Sequence, residues 1–134
     1  MDRKIRGMTA RELMGLGILA ALLIAGLLSA WNQNRQHRAM ANAMEDSTWL
    51  ALSVQWENAK ESASAVRQDW EKSWRFRAAF ADHGPIEEID GLFRELTVYS
   101  SAGERTEFSR TCAVLAEKLE AMASSARLSW WNVL

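Results

Sequence analysis

Along this chain the pattern of apolar and polar positions changes character twice. Residues 13–31 (LMGLGILAALLIAGLLSAW) are nineteen consecutive positions without a charged side chain. At 1.5 Å of rise per residue such a helix is about 28 Å long, close to the roughly 30 Å hydrocarbon core of a bilayer. Beyond it the apolar positions become periodic. Trp49, Trp56, Ala63 and Trp70 are spaced by seven, with Leu52, Ala59, Val66 and Ser73/Trp74 in the interleaved places, and no Pro or Gly interrupts residues 44–81. That spacing predicts one long helix with a single apolar seam, extended by Phe76 and Phe80. Its end is predicted at Asp82-His83-Gly84-Pro85, where Gly can take a left-handed cap and Pro can open the next helix.

A second helix is predicted over residues 85–99, with Ile86, Ile89, Phe93, Leu96 and Tyr99 inward and a short turn at residues 100–103. A third, over residues 104–127, carries Phe108, Cys112, Leu115, Leu119, Met122 and Ala126 at steps of three and four. Two helices joined by so short a turn pack antiparallel, and the tryptophan seam is the target for their joint apolar face. The expected fold is therefore all-α. An N-terminal transmembrane helix is followed by a long stalk helix and an antiparallel hairpin, which together form a three-helix bundle. Its core is expected to hold Val66, Trp70, Trp74, Ile89, Phe93, Leu96, Tyr99, Phe108, Leu115 and Leu119. The apolar tail, residues 128–134, is expected to fold onto the bundle end near Phe76 and Phe80.

Charge adds an orientation. The overall balance is -1, but residues 1–12 hold four bases and two acids while the remainder holds twelve bases and fifteen acids. The excess of bases before the span predicts a cytoplasmic N-terminus and an extracytoplasmic C-terminal domain. The organisation read from the sequence is a basic cytoplasmic stub (1–12), a transmembrane helix (13–31), a juxtamembrane linker (32–43) and an extracytoplasmic helical bundle (44–134). An uncleaved anchor is expected rather than a signal peptide. The apolar run exceeds the usual 7 to 15 residues, and the Ala-x-Ala at Ala41 and Ala43 lies well beyond it. Within the span, Gly17, Ala21, Ala25 and Ser29 recur every fourth residue as a small-residue face on which two membrane helices can approach.

Candidate chemistry is sparse. A lone cysteine, Cys112, excludes an internal disulfide and a multi-cysteine metal site. Of the two histidines, His37 falls in the polar stretch after the span and is expected to be solvated. His83 stands near Asp82, Glu87 and Glu88 at a helix junction, without a second His or Cys to complete a tetrahedral site. Neither a nucleophile elbow nor a phosphate-cradling glycine loop occurs. Neither half is basic enough for nucleic acid. No cofactor is expected. Seven tryptophans are a large load for 134 residues, and their first reading is core and interface packing.

The second half also resembles a known family. Trp70-Glu71-Lys72, Ile89-Asp90, Leu96, Tyr99, Gly103-Glu104, and Leu128-Ser129 with Asn132-Val133-Leu134 are similar in order and spacing to DUF4363. That family comprises short bacterial proteins, common in spore-forming Firmicutes, with one N-terminal span and a helical domain. Phe93, Glu104 and the bulky Trp130-Trp131 depart from its pattern. The resemblance implies the fold and a bacterial membrane setting, and no activity.

The expected function is a non-enzymatic, membrane-anchored interaction module of the cell envelope. It would work through a seam at Trp49, Leu52 and Trp56, of which Trp49 and Leu52 lie beyond the reach of the hairpin and should be exposed. Its expected partners are the lipid bilayer and either another membrane or envelope protein or a second copy of itself. The alternative is an extracytoplasmic domain that senses a ligand or lipid among its tryptophans. An enzyme centred on His83 or Cys112 ranks last. On this reading, alkaline carbonate washing of vesicles leaves the full chain in the pellet, and its release into the supernatant would remove the anchor.

Overall fold

A computed structural model describes residues 7, 9–73 and 83–131, with side chains followed to residue 125. Among the described residues there are four helices and no strand: α1 (Ala10–Leu52), α2 (Trp56–Lys72), α3 (His83–Ala102) and α4 (Arg105–Trp131). The chain separates into two compact units, residues 1–33 and residues 34–134.

The first unit is the apolar part of α1. It is long and apolar enough to cross a membrane, with mean hydropathy 2.4 over its most apolar eighteen residues and none of that window buried. The helix begins in a reciprocal cap. The Thr9 backbone N–H donates to Glu12 Oε2 at 2.8 Å, and the Glu12 N–H donates to Thr9 Oγ1 at 3.4 Å. Two backbone donors that a helix start leaves without intrahelical partners are satisfied in this way.

Among the described residues the second unit is built from four helical segments rather than three. Residues 32–43, expected as a linker, are helical. Within the unit α1 turns His37, Met40, Ala41, Met44, Ser47 and Ala51 onto one buried face. The long helix expected over residues 44–81 is interrupted after Leu52. At the interruption the Ser53 hydroxyl donates to the Leu50 carbonyl at 2.8 Å and accepts from the Gln55 N–H at 3.1 Å. A serine that bonds the main chain locally offers the backbone an alternative to the helical ladder. α2 then restarts from Gln55, whose carbonyl accepts the Ala59 N–H at 3.0 Å.

The return puts α2 antiparallel to α1, with the His37 and Trp70 rings 6.4 Å apart. Along α2 the buried positions are Trp56, Ala59, Ala63, Val66 and Trp70. These face Ile86, Ile89, Phe93 and Leu96 of α3 and Phe108, Cys112, Leu115, Leu119 and Ala123 of α4 in one core. Tyr99 and Met122 are partly buried against it. Trp74, Phe76, Phe80 and the predicted docking of residues 128–134 lie outside the described residues or side chains.

Among the described residues, polar contacts also run between α4 and α1. The Ser109 hydroxyl donates to the Thr48 carbonyl at 2.9 Å, and Arg38 approaches Glu120 at 4.0 Å. Lys118 of α4 pairs with Glu88 of α3 at 2.7 Å. That hydrogen bond and the Glu88 charge hold the Lys118 ammonium above its ordinary range.

The α3–α4 turn is set by one glycine. Gly103 has φ +72°, a conformation that suits Gly and strains other residues. The Glu104 N–H reaches back to the Tyr99 carbonyl at 3.0 Å, while the Glu104 carbonyl receives the Phe108 N–H at 2.9 Å. This is a Schellman closure of one helix that runs directly into the start of the next. Gly103→Ala has open space for its methyl group, so its cost is conformational, about 1 kcal/mol or somewhat more. A lowered urea midpoint with an unchanged m-value is the expected result; an unchanged midpoint would show that the turn is not the constraint.

Candidate functional site

The interruption at residues 53–55 is also where the surface becomes unusual. Upstream of it, Trp49 is 69% exposed and Leu52 59% exposed; Val54, inside it, is 98% exposed. Trp49 and Leu52 stand three apart on α1 and so share a face. Met44, Ser47 and Ala51, fully buried, occupy the opposite side of the same segment. Glu45 and Asp46, both exposed, stand one turn before Trp49 and give the patch an acidic border. Ser47 and Thr48 bond back to the carbonyls of Ala43 and Met44 at 2.8 and 3.0 Å, and so take up their hydroxyls within the helix.

Trp56, expected to continue this patch, does not join it. It is 9% exposed and meets the Phe108 ring edge-on, with centroids 4.9 Å apart. The Lys60 ammonium and the Arg105 guanidinium each lie 5.5 Å from its ring centroid. A tryptophan so covered contributes packing and cation–π attraction inside the fold. The difference has a simple cause. Residues seven apart share a face only while the helix is continuous, and the interruption changes the phase between Leu52 and Trp56.

The other sequence-derived positions divide between core and surface. Gly17, Ala21 and Ala25 are exposed and Ser29 is half-buried; a methyl group on Gly17 would meet nothing within 4 Å. Val66, Trp70, Ile89, Phe93, Leu96, Phe108, Leu115 and Leu119 are buried. The Trp70 indole N–H donates to Asp90 Oδ1 at 2.7 Å, a partner 20 residues away. His37, expected in solvent, is buried in the core, because α1 continues through the supposed linker and carries it onto the inner face.

Two depressions lie along the α2–α3 junction. One, of about 370 Å³, is lined by Arg67, Trp70, Glu71, Asp90, Phe93 and Arg94. Its neighbour, of about 210 Å³, shares Arg67 and Phe93 and is bordered by the hydroxyls of Ser64, Thr97, Ser100 and Ser101. Sequence reasoning missed both, because they arise from pairing two helices across residues 74–82. Among the described residues no group of three His, Cys, Asp or Glu side chains could hold a metal ion. His83 is exposed at the start of α3.

Cys112 is fully buried, and desolvation pushes its thiol from 9.0 up to about 12. The reactive thiolate is disfavoured there. Between these two values the unfolded chain loses a proton that the folded chain keeps, so stability falls as pH rises across that window. The slope from this one group is at most about 1.4 kcal/mol per pH unit. Urea unfolding of Cys112→Ala is expected to show a shallower alkaline decline than the parent chain; equal slopes would refute this burial effect.

The profile of the DUF4363 family, described as a domain of unknown function, matches residues 27–133, and the chain belongs to that family. The match begins near the end of the apolar run, so the shared pattern is mainly the helical second unit. Neither a curated protein nor a solved structure matches the chain.

Proposed function

We propose that this DUF4363 member is a non-enzymatic, membrane-anchored helical interaction module of the bacterial cell envelope. In this reading residues 13–31 lie in the bilayer, the basic stub stays in the cytoplasm and the helical unit works outside. The observation that carries it is the exposure of Trp49, Leu52 and Val54 beside a well-filled core. Large apolar side chains left in water close together in sequence, with a polar border, are characteristic of surfaces that meet another protein. Tryptophan is the side chain most enriched among residues that dominate such contacts. The acidic border formed by Glu45 and Asp46 suits an apolar hollow with a basic rim on an envelope protein partner.

A surface that exists to bind a partner has a distinctive mutational signature. Trp49→Ser and Leu52→Ser leave the unfolding midpoint nearly unchanged, within about 0.5 kcal/mol, because neither side chain supports the core. Trp56→Ala, by contrast, costs about 3–5 kcal/mol. A photo-crosslinking side chain placed at position 52 in cells should trap an adduct of defined mass, and Trp49→Ser should abolish it. An absence of any adduct from the folded, membrane-extracted chain would defeat the proposal, as would an adduct indifferent to Trp49.

A further inference from the structure

The larger α2–α3 depression has a charge arrangement that the packing of the bundle does not use up. Its floor is made of the buried rings of Trp70 and Phe93, 6.2 Å apart. Around them stand Arg67, Glu71, Asp90 and Arg94. Arg67 Nε donates to Glu71 Oε1 at 3.0 Å, and a terminal nitrogen of the same guanidinium donates to the Thr97 hydroxyl. One oxygen of Asp90 is taken by the Trp70 indole. Arg94 makes no hydrogen bond or ion pair among the described residues.

Asp90 and Arg94 stand four apart on α3 with the acid first, the order in which helical ion pairs form most readily. They do not pair, because the Asp90 carboxylate is turned across to α2 by the indole. One carboxylate with an open oxygen and one guanidinium with an open fork therefore border the same cavity without neutralising each other. A simple anion would satisfy the guanidinium alone, and a simple cation the carboxylates alone. A molecule with a carboxylate and an ammonium on one carbon satisfies both. Its carboxylate takes the planar fork of Arg94, the strongest kind of charge-assisted hydrogen bond, and its ammonium faces Asp90 and Glu71. The cavity volume falls within the roughly 300–1,000 Å³ range of small-molecule sites. We infer that this depression binds a free α-amino acid, with the ligand's own side chain lying against the Phe93 and Trp70 floor. This goes beyond the protein-binding role proposed for the Trp49 patch and is independent of it.

Calorimetric titration of the full chain in detergent micelles tests the inference, with glycine and L-phenylalanine as probes. Acetate, methylamine and glycerophosphoethanolamine serve as comparators. The expected result is saturable binding of both amino acids, tighter for L-phenylalanine, and none for acetate or methylamine. Arg94→Gln and Asp90→Asn each weaken binding by about tenfold or more. Asp90→Asn keeps a side-chain oxygen for the Trp70 indole, and Arg94 is exposed, so the helical circular dichroism of both variants stays that of the parent. The inference is overturned if neither amino acid binds, if acetate binds as tightly as glycine, or if Arg94→Gln binds like the parent. Tighter binding of glycerophosphoethanolamine than of either amino acid also overturns it, by assigning the site to a lipid headgroup.

Discussion

Burying an indole obliges the fold to supply an acceptor for its N–H, and Trp70 is the position where that obligation organises the helical unit. The acceptor is Asp90, about two turns into α3, and the bond fixes the register of α2 against α3. Once Trp70 meets Asp90 and Phe93, Arg67 is carried to Thr97 and the two helices run antiparallel with no freedom to slip. The third contact of the same ring, with His37, brings in α1. A single side chain thus relates α1, α2 and α3. α4 is joined to them by the Gly103 turn and by the Ser109 hydroxyl on Thr48.

Much of this was legible in the residue pattern. The positions 56, 59, 63, 66 and 70 were marked by spacing alone as one helix face, and that face is buried. Tyr99, Gly103 and Glu104 announced a helix turn, and they make it through the backbone bond from Glu104 to Tyr99. The interruption at residues 53–55 was not legible, because it contains neither Gly nor Pro and depends on a serine hydroxyl turning to its own main chain. From that one event come the other differences. The heptad seam splits, Trp56 goes inward, and the second half of α1 becomes a wall of the bundle. Its inner face, with His37, Met40, Ala41, Met44, Ser47 and Ala51, is too mixed to read as apolar from sequence.

The candidate surfaces were legible unequally for the same reason. The exposure of Trp49 and Leu52 could be anticipated from the length of apolar seam against what a hairpin can cover. The charged depression could not. In sequence Asp90 and Arg94 look like an ordinary helical ion pair, and only the bond from Trp70, 20 residues earlier, shows why they stay apart. The apolar patch and the depression also differ in kind. One is a set of exposed apolar side chains and the other a recess with an apolar floor between polar walls.

The Gly103 turn also imposes an order of events on a chain made from its N-terminus. α3 and α4 are neighbours in sequence and can close on each other through local contacts, a fast process. The inner faces of α1 and α2, with Met44, Trp56 and Trp70, leave the ribosome before Phe93, Phe108 and Leu115 exist to cover them. Until α3 has been made, these oily faces have only one another for shelter. The nascent segment is then most exposed to misassembly, and its rescue waits on α3 and α4.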